Sequence, residues 1–297
     1  MSSDLNYFRS LNWNSTVSLE LSVRKDGLSV LDTVYFTAYR NSYPFFIYQQ
    51  LKYAFLQSNH SSNQLNSIND DDIWFEVVDL PESNTTANNI PDKLKLHWNI
   101  GLSYDYYTFN YNPLKNHAPP LKLILHLSNS ADSAAAHLQS TKLSFMGSLK
   151  ESQLIYWGTV KRITQLKTNQ TEQLWHSIQS NDIDEYFKIA DKLLPLPLSI
   201  KEKEMDDNET PKPRSIPLKF ILPDQIVIQD ILPPKLTLQQ ALSTSLPLLF
   251  PSDSSKYPQL AYPVLHGTAI PLEADISWLA STMASPDGFL RFCIILN

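Results

Sequence analysis

Glycine and cysteine are scarce in this chain of 297 residues, with six glycines and one cysteine. The scattered glycines cannot form G-x-G-x-x-G or G-x-x-x-x-G-K-[ST], so the usual cradles for dinucleotides and nucleoside triphosphates are excluded. The single cysteine, Cys293, excludes an internal disulfide framework and a thiolate metal cluster. We therefore expect a protein without a cofactor or a structural metal.

Basic charge and long hydrophobic runs are also scarce. The chain has 24 Lys and Arg against 30 Asp and Glu, and this net charge of −6 argues against a nucleic-acid partner. No apolar run approaches the roughly 18–20 residues that a membrane span requires. The first ten residues lack the basic and apolar regions of a secretory signal. These features predict a soluble cytosolic protein.

Catalytic motifs are missing as well. The seven histidines are scattered, and none has the H-E-x-x-H spacing of a metalloprotease. Cys293 lies in the apolar run Phe289–Leu296, where a thiol is expected to be a small core residue. His266 precedes Gly267 without a serine or cysteine elbow beside it. A non-catalytic protein is the expectation, and a hydrolase that uses His266 and Cys293 is the alternative.

Strand and helix patterns alternate along the first 127 residues. Trp13–Val23 alternates apolar and polar residues, and Leu31–Tyr39 is rich in β-formers, so both are predicted strands. Phe45–Leu56 has helical spacing, and two more predicted strands are Ile73–Val78 and Leu121–Leu127. Two strands, a helix and further strands follow the order of a β-grasp, or ubiquitin-like, module.

The pattern is helical in the middle of the chain and returns to strands near its end. Asp132–Trp157 is amphipathic, and two predicted N-caps, Asn169 and Asp182, each precede a glutamate by three residues. Beyond a charged stretch, strand patterns and a capping box recur, and Phe289–Leu296 predicts a buried final strand. The sequence therefore predicts an α+β fold with a helical middle region.

One lysine of the long helix stands out. Lys150 is the only cation in a row of residues spaced three and four apart, and its companions are Leu143, Met146, Leu154 and Trp157. One interpretation is a snorkelling side chain whose ammonium stays in water. The other is an acceptor amine whose apolar neighbours disfavour the charged form.

Several stretches resemble one known family in the same order along the whole chain. His266–Leu279 (HGTAIPLEADISWL) and Ser285–Leu290 (SPDGFL) look like the closing signature of the autophagy protein 5 family. Glu172–Phe187 and the Lys150-Glu-Ser152 triplet are similar to its helical domain. Three further matches resemble its first ubiquitin-like domain: Trp13, Ile73–Glu76 and Trp98–Asp105.

The resemblance implies two ubiquitin-like domains flanking a helix-rich domain. The boundaries expected on this basis are an N-terminal ubiquitin-like domain with a short leading helix over 1–129, and a helix-rich domain over 130–198. A linker would follow over 199–213, and a C-terminal ubiquitin-like domain would cover 214–297.

The resemblance also implies a conjugation scaffold in autophagosome formation, with Lys150 at the acceptor position. In this reading the ubiquitin-like autophagy protein 12 is joined to Lys150 by an isopeptide bond, after transient contact with the conjugating enzyme, autophagy protein 10. The conjugate binds the N-terminal helix of autophagy protein 16. It then promotes lipidation of autophagy protein 8 by the autophagy protein 3–protein 8 machinery, as a ligase-like, non-catalytic subunit. A purely structural adaptor without covalent modification is the alternative.

Membrane association follows from the same resemblance. The protein would be cytoplasmic and peripheral on the preautophagosomal structure membrane. If it contacts lipid directly, the basic residues Lys161, Arg162 and Lys167 form the strongest local cluster, since the net charge of the chain is unfavourable.

Overall fold

The structure is a computed structural model that describes residues 2–25, 28–57, 73–78, 92–111, 119–127, 134–195, 212–253 and 259–297. Its contacts divide the chain into two compact units. The first unit is Thr16–Ser144, and the second unit combines Met1–Ser15 with Phe145–Asn297. Both mix helices with a β-sheet, which confirms the predicted α+β class.

The sheet of the first unit has the strand order β2-β1-β4-β3. The central strands β1 and β4 run parallel, and β2 and β3 pair antiparallel at the two edges. Because alternate residues of β1 point to opposite faces, Leu19, Leu21 and Val23 are all buried on one side. The bounds are β1 Thr16–Lys25, β2 Leu28–Tyr39, β3 Ile73–Val77 and β4 Leu121–Leu127.

This unit also contains the helices α2 (Pro44–Gln57) and α3 (Ile100–Tyr111). Near the start of α3 the backbone nitrogen of Gly101 donates to the Arg40 carbonyl oxygen at 2.9 Å. A Cβ at Gly101 would lie 2.7 Å from the Arg40 Cβ, so only glycine fits. A buried ion pair between Arg40 and Asp105, 2.7 Å long, holds α3 against the end of β2.

The middle of the chain is helical, as predicted, and it includes a short helix, Lys161–Thr164, that the sequence pattern did not indicate. Its described helices are α4 Ala134–Trp157, α5 Lys161–Thr164, α6 Thr168–Ser180 and α7 Ile183–Ala190. The Asp182 carboxylate caps α7 by accepting from the Glu185 amide at 3.0 Å, which confirms the predicted N-cap. The predicted cap at Asn169 is wrong, because α6 begins at Thr168 and its N-cap, Lys167, lies two residues earlier.

The sheet of the second unit has the order β6-β5-β9-β7-β8, again with a parallel pair, β5 and β9, at its centre. The last strand is fully buried over most of its length, as its continuous apolar sequence predicts. The bounds are β5 Ile216–Ile221, β6 Val227–Leu232, β7 Ala261–Leu265, β8 Thr268–Ala269 and β9 Leu290–Leu296. Two helices, α8 Leu238–Ser245 and α9 Ile276–Thr282, cover the core. The Thr237–Gln240 capping box opens α8 as expected.

The first helix, α1 (Ser2–Trp13), belongs to the second unit. The indole nitrogen of Trp13 donates to the Asn181 carbonyl oxygen at 3.2 Å, and its ring packs on Tyr186. The Arg9 guanidinium donates to the Ser281 carbonyl oxygen at 2.9 Å. The contacts therefore group residues 1–15 with 145–297 and not with the strand that follows them.

Of the other expectations, one differs from the structure and some fall outside the described residues. Trp13 ends α1, although the sequence pattern places it at the start of a strand. Most of the predicted linker over 199–213 lies outside the described residues, as do Asp26 and Gly27 between the first two strands. Within the described ranges, no helix has both the length and the apolar character required to cross a membrane.

Candidate functional site

Lys150 lies on a helix that buried side chains anchor firmly. The buried face of α4 includes Gln153, Tyr156 and Trp157. The Gln153 amide nitrogen and the Trp157 indole nitrogen both donate to the Leu193 carbonyl oxygen, at 3.1 and 2.8 Å. The Tyr156 hydroxyl donates to the Gly288 carbonyl oxygen at 2.7 Å. These bonds fix the backbone from which Lys150 projects.

The Lys150 side chain itself is exposed. It has no hydrogen bond or ion pair with any residue that the structure describes. One turn before it, Gly147 has no atom within 4 Å of the position that a Cβ would occupy, so the surface beside the lysine is open. An exposed amine on a rigid base can be reached by a large reaction partner.

The row that contains Lys150 is only partly open to solvent. Leu143 is 61% exposed and Leu154 is 53% exposed, whereas Met146 is half-buried and Trp157 is buried. The expectation that Met146 and Leu154 partly desolvate the amine is therefore not met. Lys150 is therefore an exposed lysine on an anchored helix.

A hydrogen bond joins the solvent face of α4 to the edge of the sheet in the second unit. The Gln229 amide nitrogen on β6 donates to the Glu151 carboxylate at 2.7 Å, directly beside Lys150 in sequence. On the same face of β6, Val227 and Ile231 are exposed on either side of Gln229. The β6 edge of the sheet therefore exposes apolar side chains beside the residue that bonds to α4.

The predicted basic cluster is only partly available for a ligand. Lys161 and Lys167 are exposed, at the start of α5 and at the N-cap of α6. The Arg162 guanidinium lies 3.9 Å from the centre of the Trp157 ring, and one of its nitrogens donates to the Lys192 carbonyl oxygen at 3.0 Å. Burial lowers the pKa of Arg162. Arg162 thus has a structural role, while the two lysines point into solvent.

The two residues of the alternative hydrolase interpretation, Cys293 and His266, have structural roles. Cys293 is completely buried in β9, as the core interpretation expects. His266 lies in the turn between β7 and β8 with a positive φ of 49°, and its ring is within 2.9 Å of the Met283 carbonyl oxygen. Nothing in these contacts activates a nucleophile.

A surface that the sequence interpretation missed lies on α1. Three large apolar side chains, Tyr7, Phe8 and Leu11, are exposed along one stripe of the helix at 61%, 42% and 52%. The Phe8 ring packs edge-on against Trp278 of α9, with ring centres 5.2 Å apart. The i, i+4 spacing of Tyr7 and Leu11 was a detectable signal of a second apolar face.

Three family models match the chain in order. They are described as the UblA domain, the alpha-helical bundle region and the UblB domain of autophagy protein ATG5, and they match residues 12–127, 138–196 and 215–294. Together they cover most of the chain, including both sheets and the helices between them.

Similar whole chains come from fungi. Autophagy protein 5 of Aspergillus oryzae is 26% identical, covering 98% of this chain and 97% of the relative. The protein of the same name from Phaeosphaeria nodorum is also 26% identical, over 96% and 95%. A solved structure, the crystal structure of Kluyveromyces marxianus Atg5, is similar in fold, with a TM-score of 0.67 at 20% identity. It covers 97% of this chain and 99% of that one.

Proposed function

This chain belongs to the autophagy protein 5 family and has a role in autophagy, and we propose that Lys150 is its acceptor for autophagy protein 12. The observation that carries the proposal is the exposed, unpaired amine of Lys150 on the solvent face of an anchored helix. The position also matches the family's acceptor lysine in the Lys150-Glu-Ser152 triplet.

The chemistry requires only an amine in the right place. Autophagy protein 10 carries autophagy protein 12 as a thioester of its C-terminal glycine. The neutral Lys150 nitrogen attacks the carbonyl carbon of that thioester. A C–N bond forms, the C–S bond breaks, the conjugating enzyme leaves as a thiolate, and the ammonium proton passes to solvent. Because orientation contributes several kcal/mol to such barriers, a rigid helix beneath the amine favours the reaction.

Substitution by arginine tests this assignment. Lys150→Arg keeps the positive charge and the length of the side chain, but a guanidinium does not deprotonate and cannot form the isopeptide bond. In a reconstituted reaction we expect the variant to fold normally and to form no covalent conjugate. Lys161→Arg, at another exposed lysine, is the matched control and should conjugate at the normal rate.

The outcomes separate the competing functions. Conjugation that persists in Lys150→Arg would move the acceptor to another lysine, with Lys142 and Lys161 as the next candidates. Absence of any conjugate with the unmodified chain would favour the purely structural adaptor.

We propose further that the partner helix of autophagy protein 16 contacts the stripe of Tyr7, Phe8 and Leu11 together with Trp278. Amphipathic helices bind through apolar anchors that repeat every three or four residues, and an exposed helical stripe presents the matching ridge. Tyrosine and tryptophan are also the residue types that dominate the energetics of protein interfaces. The proposed contact lies entirely within the second unit.

Introducing a negative charge into the apolar stripe of α1 tests the proposed contact with the partner helix. Phe8→Asp should weaken binding of the partner helix at least about tenfold, as expected for the loss of a central aromatic anchor. Tyr53→Asp is the matched control, because Tyr53 of α2 is similarly exposed on the first unit. Equal affinities for both variants and the unmodified chain, measured by calorimetry, would remove the stripe from the interface.

In the full proposal the conjugate acts as a ligase-like subunit without covalent catalysis of its own. It promotes transfer of autophagy protein 8 to phosphatidylethanolamine by the autophagy protein 3 machinery, on the preautophagosomal structure membrane and from the cytoplasm. Lys161 and Lys167 are the side chains we propose for a direct lipid contact, since both are exposed.

A double substitution tests the lipid contact. Each lysine near an anionic surface contributes about 1 kcal/mol, so Lys161→Glu with Lys167→Glu should weaken liposome binding about 30-fold or more. Arg162 is left unchanged because its stacking on Trp157 is structural. Sedimentation with anionic vesicles that is unaffected by the double substitution would exclude the cluster.

A further inference from the structure

Three of the four sheet edges in the described parts of the chain are protected against pairing with a further strand. An open edge presents unpaired N–H and C=O groups, and proteins usually cover, shorten or charge it. Residues 92–94 cover β3, where the backbone nitrogens of Val77 and Leu94 each donate across the contact at 2.9 Å. Strand β8 has only two residues. On β6 the Asp230 carboxylate occupies the Ile231 backbone nitrogen at 2.7 Å.

The fourth edge, β2, is long, regular and uncharged. Among the residues that the structure describes, this strand of 12 residues pairs with β1 alone, and the ladder between them is regular over 34–39. The stretch 33–39 (TVYFTAY) contains neither a charged residue nor a proline. Its exposed side is aromatic, since Tyr35 is 74% exposed and Tyr39 is 43% exposed. Every second residue of such a strand directs its backbone groups away from β1.

The stretch 33–39 is complementary to itself. When two copies run antiparallel with Phe36 opposite Phe36, Tyr35 lies opposite Thr37 of the other copy, and Thr33 lies opposite Tyr39. Each exposed tyrosine thus meets an exposed threonine, and aromatic residues opposite β-branched residues are favourable cross-strand pairs. Because the stretch is uncharged, the pairing sets no like charges directly opposite each other.

We propose that β2 pairs antiparallel with β2 of a second copy of this chain, about a two-fold axis at Phe36. The contact is isologous, because both copies use the same surface. It joins two four-stranded sheets edge to edge into one continuous sheet. The stretch 33–39 supplies far fewer residues than the roughly 20–30 on each side of a standard interface, so the dimer dissociates on dilution.

The paired edge lies wholly within the first unit, whereas Lys150 and the stripe of α1 belong to the second unit. Self-association through β2 therefore goes beyond the proposed conjugation and partner-helix contacts and requires neither of them. The unconjugated chain is sufficient to test it.

Sedimentation velocity of the full chain tests the dimer. Between about 5 μM and about 500 μM, a range that brackets weak complexes, we expect the unmodified chain to shift from monomer to dimer. Tyr35→Lys removes both Tyr–Thr pairs and sets two cations about 7–8 Å apart across the axis, so it should weaken the dimer about tenfold or more. Tyr53→Lys is the matched control, because Tyr53 is 65% exposed on α2 and should leave the dimer unchanged.

Disulfide cross-linking tests the register. Opposite residues of an antiparallel pair have Cα atoms about 4.5–5.5 Å apart, which a disulfide spans, so Phe36→Cys should cross-link two copies under mild oxidation. In Thr37→Cys the two thiols lie on a diagonal of about 7–8 Å and should not cross-link. The native Cys293 is buried and does not compete.

The outcomes decide between the second copy and other occupants of the edge. A chain that stays monomeric over the whole concentration range would leave β2 to a strand of another protein and would overturn the proposal. The proposal also fails if both lysine variants dimerise equally, or if Thr37→Cys cross-links as readily as Phe36→Cys. Because the lysine variants change exposed side chains, they decide the question even if Phe36→Cys does not fold.

Discussion

Replacing Tyr156 with phenylalanine removes a single hydroxyl group from the interior of the second unit. The ring is completely buried, and the hydroxyl donates to the Gly288 carbonyl oxygen at 2.7 Å. Loss of the hydrogen bond, together with a carbonyl left unsatisfied in the interior, should lower the free energy of unfolding by about 1–2 kcal/mol near neutral pH. The packing of the ring is unchanged, so no cavity adds to this figure.

The same hydroxyl makes the effect depend on pH. Burial raises the pKa of Tyr156 far above its ordinary value, and Asp287 and Tyr186 add to the increase. Below about pH 10 the folded and unfolded states both keep the proton, so the advantage of tyrosine is complete. Above that pH the unfolded chain releases the proton while the folded chain keeps it, which favours unfolding. At about pH 11 this release is worth RT ln 11, or about 1.4 kcal/mol.

Urea unfolding of the unmodified chain and of Tyr156→Phe, at about pH 8 and about pH 11, measures the difference directly. We expect the deficit of the variant to shrink from about 1–2 kcal/mol to nearly zero. Other tyrosines and lysines titrate in both proteins and largely cancel in the comparison. A deficit that is the same at both pH values would refute the reasoning, because it would mean that Tyr156 ionises equally in both states.

Two further predictions use pairs of matched substitutions. Gly101→Ala should lower the free energy of unfolding by about 1–3 kcal/mol, because the new Cβ would clash with Arg40. Gly147→Ala should raise it by up to about 1 kcal/mol, because this helical position has open space for a Cβ. Thermal unfolding measures whether each variant is less or more stable than the unmodified chain. Asp182→Ala should destabilise α7 by about 1 kcal/mol, because the helix loses its N-cap. Asp184 is not the cap, so Asp184→Ala should destabilise α7 by only a few tenths of a kcal/mol. Amide hydrogen exchange of α7 measures both effects.

The elements that the sequence predicts well are those with one buried face. Strand β1 alternates polar and apolar residues because one of its faces lies on the core, and α7 begins at a side-chain cap. The missed helix α3 has no such pattern, since nearly all of Ile100–Thr108 is buried and no polar face marks its period. The missed helix α9 has only seven residues, too few for a periodic signal.

The candidate site, likewise, is predicted only in part by the sequence. Spacing along α4 places Lys150 in a row with Leu143 and Leu154, and that much is confirmed by the geometry of the helix. Spacing cannot show which face is buried when apolar residues lie on both. Packing decides it, because Gln153 and Tyr156 bond to the interior and turn the leucines outward.

The position of α1 also depends on contacts between residues far apart in the chain. Arg9 is 5% exposed, and its partners lie 182 and 272 residues away: the Asp191 carboxylate at 2.7 Å and the Ser281 carbonyl at 2.9 Å. Its guanidinium also lies 4.6 Å from the centre of the Phe187 ring. One guanidinium nitrogen is buried without a partner, which offsets part of the stabilisation.

Arg9→Met removes these polar contacts but keeps most of the apolar stem, so it isolates their contribution. The lost bond to a buried carbonyl and the lost ring contact, less the relief of one unsatisfied nitrogen, give a net loss of about 1–2 kcal/mol. The Asp191 pair adds little because that carboxylate is half-exposed. Amides of α9 should therefore exchange about tenfold faster, while those of β1, in the other unit, should keep their rates. Faster exchange in β1 without a change in α9 would contradict the assignment of α1 to the second unit.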